Sequence, residues 1–379
     1  MTWKIATVAS GDLAMTLHMK IAFFHELSFG GARRVVEEYG KILSINHIVD
    51  LYYLDVTEDL PSEKIFNKTF FFPENQKKHR IYNDTVSLFR LSIIHKKIAD
   101  LIDNGGYDFV FVHPSKFTQA PFILRFLKTP SVYYCQEPLR IVYDPLLKQL
   151  PNTSLTKRMY ELLNRSIRKA LDYTNTEKAG LILANSQYSA DWIADAYGKK
   201  ASICYLGVDP KQFVQQKTKK EYDILFLGQP IDVEGYDLLE GAMEFFDKKP
   251  VVQIISRDLQ GKGIPDKELV NEYNKSKIVV CLSRNEPFGL TAIEAMACSV
   301  PVVAVNEGGY KESVLDGKTG FLVERNQEKL FEKLDELISN EKRRNEMGEN
   351  ARKNVLKQWA WEKSVDRFLE IITTWQKSL

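Results

Sequence analysis

Two glutamates, Glu286 and Glu294, bracket the stretch EPFGLTAIE, which runs on into AMACSVPVVAV (residues 286–305). From Leu290 to Val305, Glu294 is the only charged residue in a segment otherwise suited to a packed interior. Burying even a neutral polar group without a partner costs about 2–7 kcal/mol, so such a carboxylate is either paired or faces a cavity. The preceding apolar run, KIVVCLS, ends at Ser283, and Pro287 disfavours helical geometry at Glu286. Glu286 is therefore expected on an irregular loop at the carboxyl end of a strand. Gly289 can cap a helix that starts near Leu290, whose first N–H groups have no internal partner and, with the helix dipole, attract anions. Loop carboxylate, anion-binding turn and helix carboxylate would then line one wall of a crevice. The alternative is that Glu294 is an ordinary solvated residue on a helix surface.

The elements that must position these groups follow a βα rhythm from Met19 onward. Strands are expected at Lys20–His25, Ile48–Leu54, Asp108–His113, Ser131–Cys135, Leu181–Ala184 and Ser202–Leu206, and helices at Ala32–Leu43, Thr85–Ile102 and Ser154–Tyr173. After the charged stretch VQQKTKKEYD the rhythm restarts with DILFLGQ, VVQIIS, KIVVCLS, VPVVAV and GFLV, separated by helical patterns. Apolar strands alternating with helices make parallel sheets covered on both faces. The expected fold class is thus α/β, with two doubly wound, Rossmann-like parallel-sheet domains facing a cleft, at residues 19–206 and 207–358. The last segment, 359–379, carries Val365, Phe368, Leu369, Ile372 and Trp375 at helical spacing and is expected to cross back onto the first domain. Residues 1–18 lack the long apolar centre of a secretory signal and precede a second start-like MKIAFFHE, so they read as a leader or tag outside the fold.

Composition narrows the function classes. A net charge of +2 gives no reason to expect nucleic acid as a partner. The four cysteines are scattered without metal-ligand spacing, mostly in apolar runs, and read as reduced core residues of a cytoplasmic protein. No apolar run reaches the roughly 18 residues that a membrane-spanning helix needs. No Asp-x-Asp sequence or His/Cys cluster suggests a metal, and no cofactor is expected.

Further candidates lie at predicted strand ends. Gly30 and Gly31 form a Gly-Gly turn after the first strand, where the backbone can approach a ligand at a helix start or simply turn. His113 ends DFVFVH, where it either reaches the cleft or serves the core. Gln136, Glu137 and Arg140 follow SVYYC and belong to the same rim, although Glu137 and Arg140 could equally pair with each other. Basic residues cluster at Lys77, Lys78, Arg80, Arg90, Lys96 and Lys97, and again at Lys157, Arg158, Arg165, Arg168 and Lys169. These form a solvated face or contact an anionic membrane peripherally. The interspersed Leu155, Met159, Leu162, Leu163 and Ile167 are expected in the core.

The stretch EPFGLTAIEAMACSVPVVAVNEGGYKESVLDGKTGFLV resembles the signature region of the retaining, nucleotide-sugar-dependent glycosyltransferases of the GT-B fold, the glycosyl transferases group 1 family, with Glu286 and Glu294 at the spacing of its E-x7-E motif. The βα order is similar over nearly all of residues 19–379. The resemblance implies a nucleoside diphosphate sugar as donor and a saccharide, lipid-linked or protein hydroxyl as acceptor. It implies that Glu294 accepts hydrogen bonds from the ribose hydroxyls and that Glu286 touches the donor sugar. The backbone amides of Phe288, Gly289 and Leu290 would approach the sugar and diphosphate, as would Gly30 and Gly31 from the other domain. His113 would contact the donor sugar near the reacting centre, orienting it and stabilising charge, while Gln136, Glu137 and Arg140 would stand on the acceptor side.

One departure matters. Relatives usually place an Arg directly after the glycine of the second domain's first strand and a Lys about five residues on, which clamp the diphosphate; here these positions are Gln229 and Glu234. Losing a charge-assisted contact costs roughly 1.5–3 kcal/mol. Arg33, Arg34, Arg257, Lys262 and Arg284 are the candidates to compensate, although Arg284, next to Glu286, could equally serve only to neutralise it. Two functions follow as expectations: glycosyl transfer with retention, or a catalytically impaired sugar- or nucleotide-binding partner of an active glycosyltransferase. A hydrolase using the two glutamates is disfavoured, because both would sit on one wall rather than flank a scissile bond.

Overall fold

Each half of the chain builds its own parallel sheet, and in both the strand order reverses beside the first strand. The computed structural model describes residues 18–27, 30–55, 65–73, 86–147, 154–256 and 264–379. The first sheet has the order β3-β2-β1-β4-β5-β6-β7, with β1 Lys20–Glu26, β2 Ile48–Asp55, β3 Lys68–Pro73, β4 Phe109–Ser115, β5 Ser131–Tyr134, β6 Leu181–Ala184 and β7 Ser202–Ile203. The second has the order β12-β11-β10-β8-β9, with β8 Tyr222–Leu227, β9 Val252–Ile255, β10 Ser276–Cys281, β11 Val302–Val305 and β12 Gly320–Val323. The helices in chain order are α1 Gly31–Leu43, α2 Leu88–Asp103, α3 Arg140–Tyr143, α4 Leu155–Thr176, α5 Gln187–Tyr197, α6 Tyr236–Met243, α7 Asp266–Lys275, α8 Leu290–Ala297, α9 Tyr310–Ser313, α10 Gln327–Ser339, α11 Glu341–Gln358 and α12 Trp361–Gln376.

The chain runs outward from β1 and returns to β4 on the other side, and it runs from β8 to β9 before returning to β10. Crevices at the carboxyl ends of strands open where the order reverses in this way. The turn after β1 and the loop after β10 lie at these two points, which is where the glycine pair and Glu286 were expected.

β4 is buried at every position, as a strand covered on both faces must be. Around it the rings of Phe23, Tyr39, Phe111, Tyr134 and Phe368 pack against one another. Phe368 comes from α12, which lies on α1, and the Tyr39 hydroxyl is 2.7 Å from Ser364 Oγ of the same helix. Val365, Phe368 and Ile372 are buried, with Leu369 and Trp375 packed partly against the same core. The chain crosses between the two sheets twice, and the crossings touch: Val208 N–H donates to Trp359 O at 2.8 Å. A Cβ at Gly207 would lie 2.7 Å from the Trp361 backbone, so this crossing requires glycine.

Three expectations change. The β3 edge strand was not anticipated, and its mixed exposure explains the weak apolar signal. Ser202–Leu206 narrows to β7, an edge strand paired only through Ser202 and Ile203. The third correction concerns α4, where Leu155, Met159, Leu162, Leu163 and Ile167 are exposed rather than in the core. The helix packs instead through polar groups. Asp172 accepts from the Ala120 N–H at 2.9 Å and the Tyr197 hydroxyl at 2.7 Å, and Asn175 donates to Ala120 O at 2.7 Å. All four cysteines are buried and free, as expected. Residues 1–17, Lys77, Lys78, Arg80, Thr85, Arg257 and Lys262 lie outside the described residues.

Truncating Phe368 to alanine removes the ring that joins α12 to the first sheet. Chemical denaturation of Phe368→Ala is expected to show a loss of about 3–5 kcal/mol, the range for a buried aromatic, whereas half-exposed Leu356→Ala should change stability by less than about 0.5 kcal/mol. Equal effects would mean that α12 is not part of the core.

Candidate active site

Helices α1 and α8 begin at the two strand-order reversals, and their N-termini meet across the cleft. Gly30 precedes α1 with φ 140°, a conformation strained for any other residue, and a Cβ on Gly31 would lie 3.0 Å from Leu290 Cδ1 of α8. Gly289 caps α8 with φ 87°, and a side chain there would collide with the Tyr310 ring. Two sets of first-turn N–H groups and two positive dipole ends thus converge on one space, suited to a doubly charged anion. The cleft has a volume of about 1080 Å³.

The environment of Glu294 answers the question that its sequence position raised. It is both paired and facing the cleft: only 5% exposed, it accepts from the Tyr273 hydroxyl at 2.8 Å with one oxygen and from the Arg34 guanidinium with the other. Arg34 projects from α1 and uses its second terminal nitrogen on Asp266 at the start of α7. Burial alone would lower the Arg34 pKa, but Glu294 and Asp266 outweigh it and raise the value. One guanidinium of the first domain therefore bridges two carboxylates of the second.

Glu286 sits at the rim of the same turn, its Oε1 accepting from the Gly289 N–H at 3.1 Å. Burial and then the nearby Glu234 carboxylate hold its pKa above the usual range, against the pull of Arg140 and the backbone N–H groups of Gly289 and Phe288. Neighbouring Asn285 has φ 54° and is fixed by its side chain, donating to Asp144 at 3.1 Å and accepting from the Tyr188 hydroxyl at 3.3 Å. A non-glycine residue held in this region by several partners is the kind of local strain that accumulates at functional sites.

Several expected groups come together here. Gly30, Gly31, Glu286, Gly289, Leu290 and Glu294 line the cleft, as does Phe288, whose ring is buried against Tyr205 and Trp359. From the opposite rim come Gln136, Glu137 and Arg140. Gln136 Nε2 has no hydrogen-bond partner among the described residues. Arg140 pairs with Glu137 at 3.1 Å, as the simpler reading held, and also reaches across the cleft to the carbonyls of Asn285 at 2.8 Å and Arg284 at 3.2 Å. Burial raises the Glu137 pKa to about 7, with Arg140 opposing and Glu286 and Asp144 adding to the shift.

Two expected groups are not brought to the cleft. His113 is fully buried, its ring packed on Phe111 at 4.5 Å between centroids, with neither nitrogen hydrogen-bonded among the described residues. Burial drives its pKa down to about 3, which favours the neutral imidazole. Arg284 turns away, pairing with Asp237 at 2.9 Å and donating to the Asp232 carbonyl at 3.1 Å. Gln229 and Glu234 do line the cleft, and Glu234 accepts from Ser283 Oγ at 2.8 Å. The basic side chains among the described lining residues, Arg33, Arg34, Lys41, Lys116 and Arg140, all come from the first domain. Sequence reasoning missed Asp266 and Tyr273, and named Arg34 without its partners, because nothing local couples positions so distant along the chain.

Residues 261–354 match the family described as Glycosyl transferases group 1. The second half of the chain carries a glycosyl transferases group 1 domain. The chain is 33% identical over 210 residues to an uncharacterized glycosyltransferase of Methanocaldococcus jannaschii, a match covering 51% of this chain and 58% of that protein, and so spans less than two thirds of that relative. Among solved structures, a sucrose-phosphate synthase from Thermosynechococcus elongatus superposes with TM-score 0.74 at 16% identity, covering 96% of this chain and 100% of the other. The HepE protein of Anabaena, in complex with UDP-glucose, superposes with TM-score 0.66 at 18% identity, covering 94% and 100%. The two parallel α/β domains around the cleft are the GT-B fold.

The Glu137 carboxyl titrates near pH 7 in the folded chain and near its ordinary 4.5 when unfolded. Between these values the folded state holds the extra proton, so this residue makes the protein more stable as pH falls from 7 towards 4.5. Unfolding titrations at several pH values should show wild type gaining on the order of 1–3 kcal/mol relative to Glu137→Gln across that window. A difference independent of pH would contradict the assignment.

Proposed function

We propose that this protein is a retaining glycosyltransferase that moves a sugar from a nucleoside diphosphate sugar to an acceptor hydroxyl. The observation that carries the reading is the meeting of the α1 and α8 N-termini between Glu286 and Glu294 at the two strand-order reversals. Glu294 accepts the ribose hydroxyls, exchanging Arg34 for the nucleotide. The N–H groups of the α8 turn and of the Gly30–Gly31 turn receive the diphosphate. Arg34, released from Glu294, supplies the cation that Gln229 and Glu234 do not. Glu286 holds the donor sugar hydroxyls, and Gln136, Glu137 and Arg140 face the acceptor.

The acceptor oxygen attacks the anomeric carbon from the face that the diphosphate leaves. The bond from that carbon to the phosphate oxygen breaks, and the departing oxygen takes the acceptor proton. The protein orients the reactants, stabilises the leaving charge and excludes water as the domains close. No metal ion is assigned a role. The UDP-glucose complex of the Anabaena neighbour makes a uridine diphosphate sugar the first donor to try.

One observation favours a second reading, that of a binding partner of an active enzyme. Glu234 places a carboxylate in the cleft where a clamp lysine is expected, and no basic residue of the second domain lines the cleft among the described residues. On that reading the natural protein turns over no donor, and Gln229→Arg with Glu234→Lys strengthens donor binding without restoring transfer.

The test is incubation with UDP-, GDP- and ADP-sugars and a panel of acceptors, with proton NMR of the first product. Transfer with the donor's anomeric configuration is expected; an inverted product or steady hydrolysis without acceptor would overturn the mechanism. Arg34→Ala should weaken a nucleoside diphosphate about tenfold or more, the worth of a charge-assisted contact, yet leave the free nucleoside bound as well or better. Equal losses for both would remove Arg34 from the diphosphate.

A further inference from the structure

Helix α4 is turned inside out. Its buried residues are all polar, namely Glu161, Asn164, Asp172, Asn175 and Thr176. Apart from Leu171, which packs partly on the core, its large apolar side chains face solvent: Leu155 is 72% exposed, Met159 63%, Leu162 53%, Leu163 63% and Ile167 46%. Their positions fall at the helical repeat, so they form one stripe along the outer face. Surface leucines scattered singly need no explanation, but a continuous stripe of this kind marks a surface that is covered by something else.

The charges select the covering. Lys157, Arg158 and Lys169 are exposed and Arg165 and Arg168 half-buried, while the helix's two acids, Glu161 and Asp172, are buried on the inner face. Arg165 and Arg168 donate inward, to the Leu147 and Phe117 carbonyls, whereas Arg158 and Lys169 lie beside the apolar stripe, so the exposed charge that borders it is positive. α2 packs on the same turn, Phe122–Arg125, as α4 does. It exposes Phe89 at 70% and Ile93 at 45%, with Arg90, Lys96 and Lys97 also exposed and the exposed acid Asp100 paired with Lys96 at 3.0 Å. A second copy of this chain, joined through this face, would bring like charges together around the apolar stripe. An anionic bilayer instead buries the stripe and attracts its basic border, the behaviour of helices that lie in a membrane interface. No helix among the described residues is long and apolar enough to cross a membrane, so the contact is peripheral.

We propose that the apolar stripe of α4, with Arg158 and Lys169 at its border, docks this protein onto the surface of an anionic lipid bilayer. The inference stands apart from the sugar-transfer reading and is tested without any nucleotide. Full-length protein is floated with vesicles of phosphatidylcholine alone and of phosphatidylcholine with phosphatidylglycerol. Wild type should float with the phosphatidylglycerol vesicles at low salt, weakly with phosphatidylcholine alone, and less as salt screens the attraction. Met159→Glu with Leu163→Glu, and separately Arg158→Glu with Lys169→Glu, should each reduce the vesicle-bound fraction at least tenfold. Because these side chains are exposed, the unfolding temperature should stay at the wild-type value, which separates lost docking from lost folding. Wild type remaining unbound at low salt, or variants floating as well as wild type, would overturn the proposal. So would light scattering that shows a dimer dissociated by the Met159/Leu163 pair in protein that does not float.

Discussion

The bridge from Arg34 to Glu294 and Asp266 is the constraint on which the rest of the cleft depends. Glu294 lies in an apolar helix and is almost fully buried, and breaking a buried ion pair by removing one partner is strongly destabilising, by about 3–5 kcal/mol. The partner it has comes from the other domain. The carboxylate is thus satisfied only while α1 lies against α8, or when another set of donors takes the place of Arg34. Tyr273 meets the remaining oxygen from within the same domain, so a change of partner on one side leaves the other intact. The pairing of this carboxylate with Arg34 therefore depends on how the two domains lie against each other.

Other contacts between the domains are polar. A carboxylate of the second domain, Glu312, accepts the first N–H groups of α5 at Gln187 (2.8 Å) and Tyr188 (3.0 Å), acting as a cap from outside the helix's own domain. Ser186 Oγ donates to the Pro287 carbonyl at 2.6 Å, and Arg140 holds the carbonyls of Arg284 and Asn285. These are polar, local interactions, each of modest net worth. The apolar continuity between the halves runs instead through Val208, Trp359 and Trp361, where the two chain crossings touch, and through Phe288, whose ring packs on Tyr205 and Trp359. Interfaces that are polar away from their pivot allow relative domain motion, which is the default where the contact is neither large nor hydrophobic.

Much of the fold was legible because parallel strands buried on both faces read as apolar runs; Leu181–Ala184 was placed to the residue and β1 to within one. The carboxyl-end loop was equally legible, since Pro287 and Gly289 act locally on the backbone. What could not be read depended on partners far along the chain. His113 looked available at a strand end, but the rings of Phe111, Phe23 and Tyr134 close over it. Arg284 looked suited to a diphosphate beside Glu286, yet Asp237 competes for it successfully. The apolar stripe of α4 has the periodicity of a core helix, and periodicity reports a face without saying which side of it the protein occupies. Arg34 was visible only as one of several basic residues, because its two carboxylates are 232 and 260 positions away.

In the proposed function, Glu294 exchanges Arg34 for the ribose of a nucleotide sugar. Calorimetric titration of UDP-, GDP- and ADP-sugars into wild type and Glu294→Gln tests it most directly, since the amide keeps the shape of the side chain and removes its charge. One nucleotide should bind wild type, and the variant should bind it about 10–100-fold more weakly, the equivalent of roughly 1.5–3 kcal/mol, while circular dichroism shows the fold unchanged. Equal affinity for wild type and variant, or no binding of any nucleotide sugar to wild type, would contradict it.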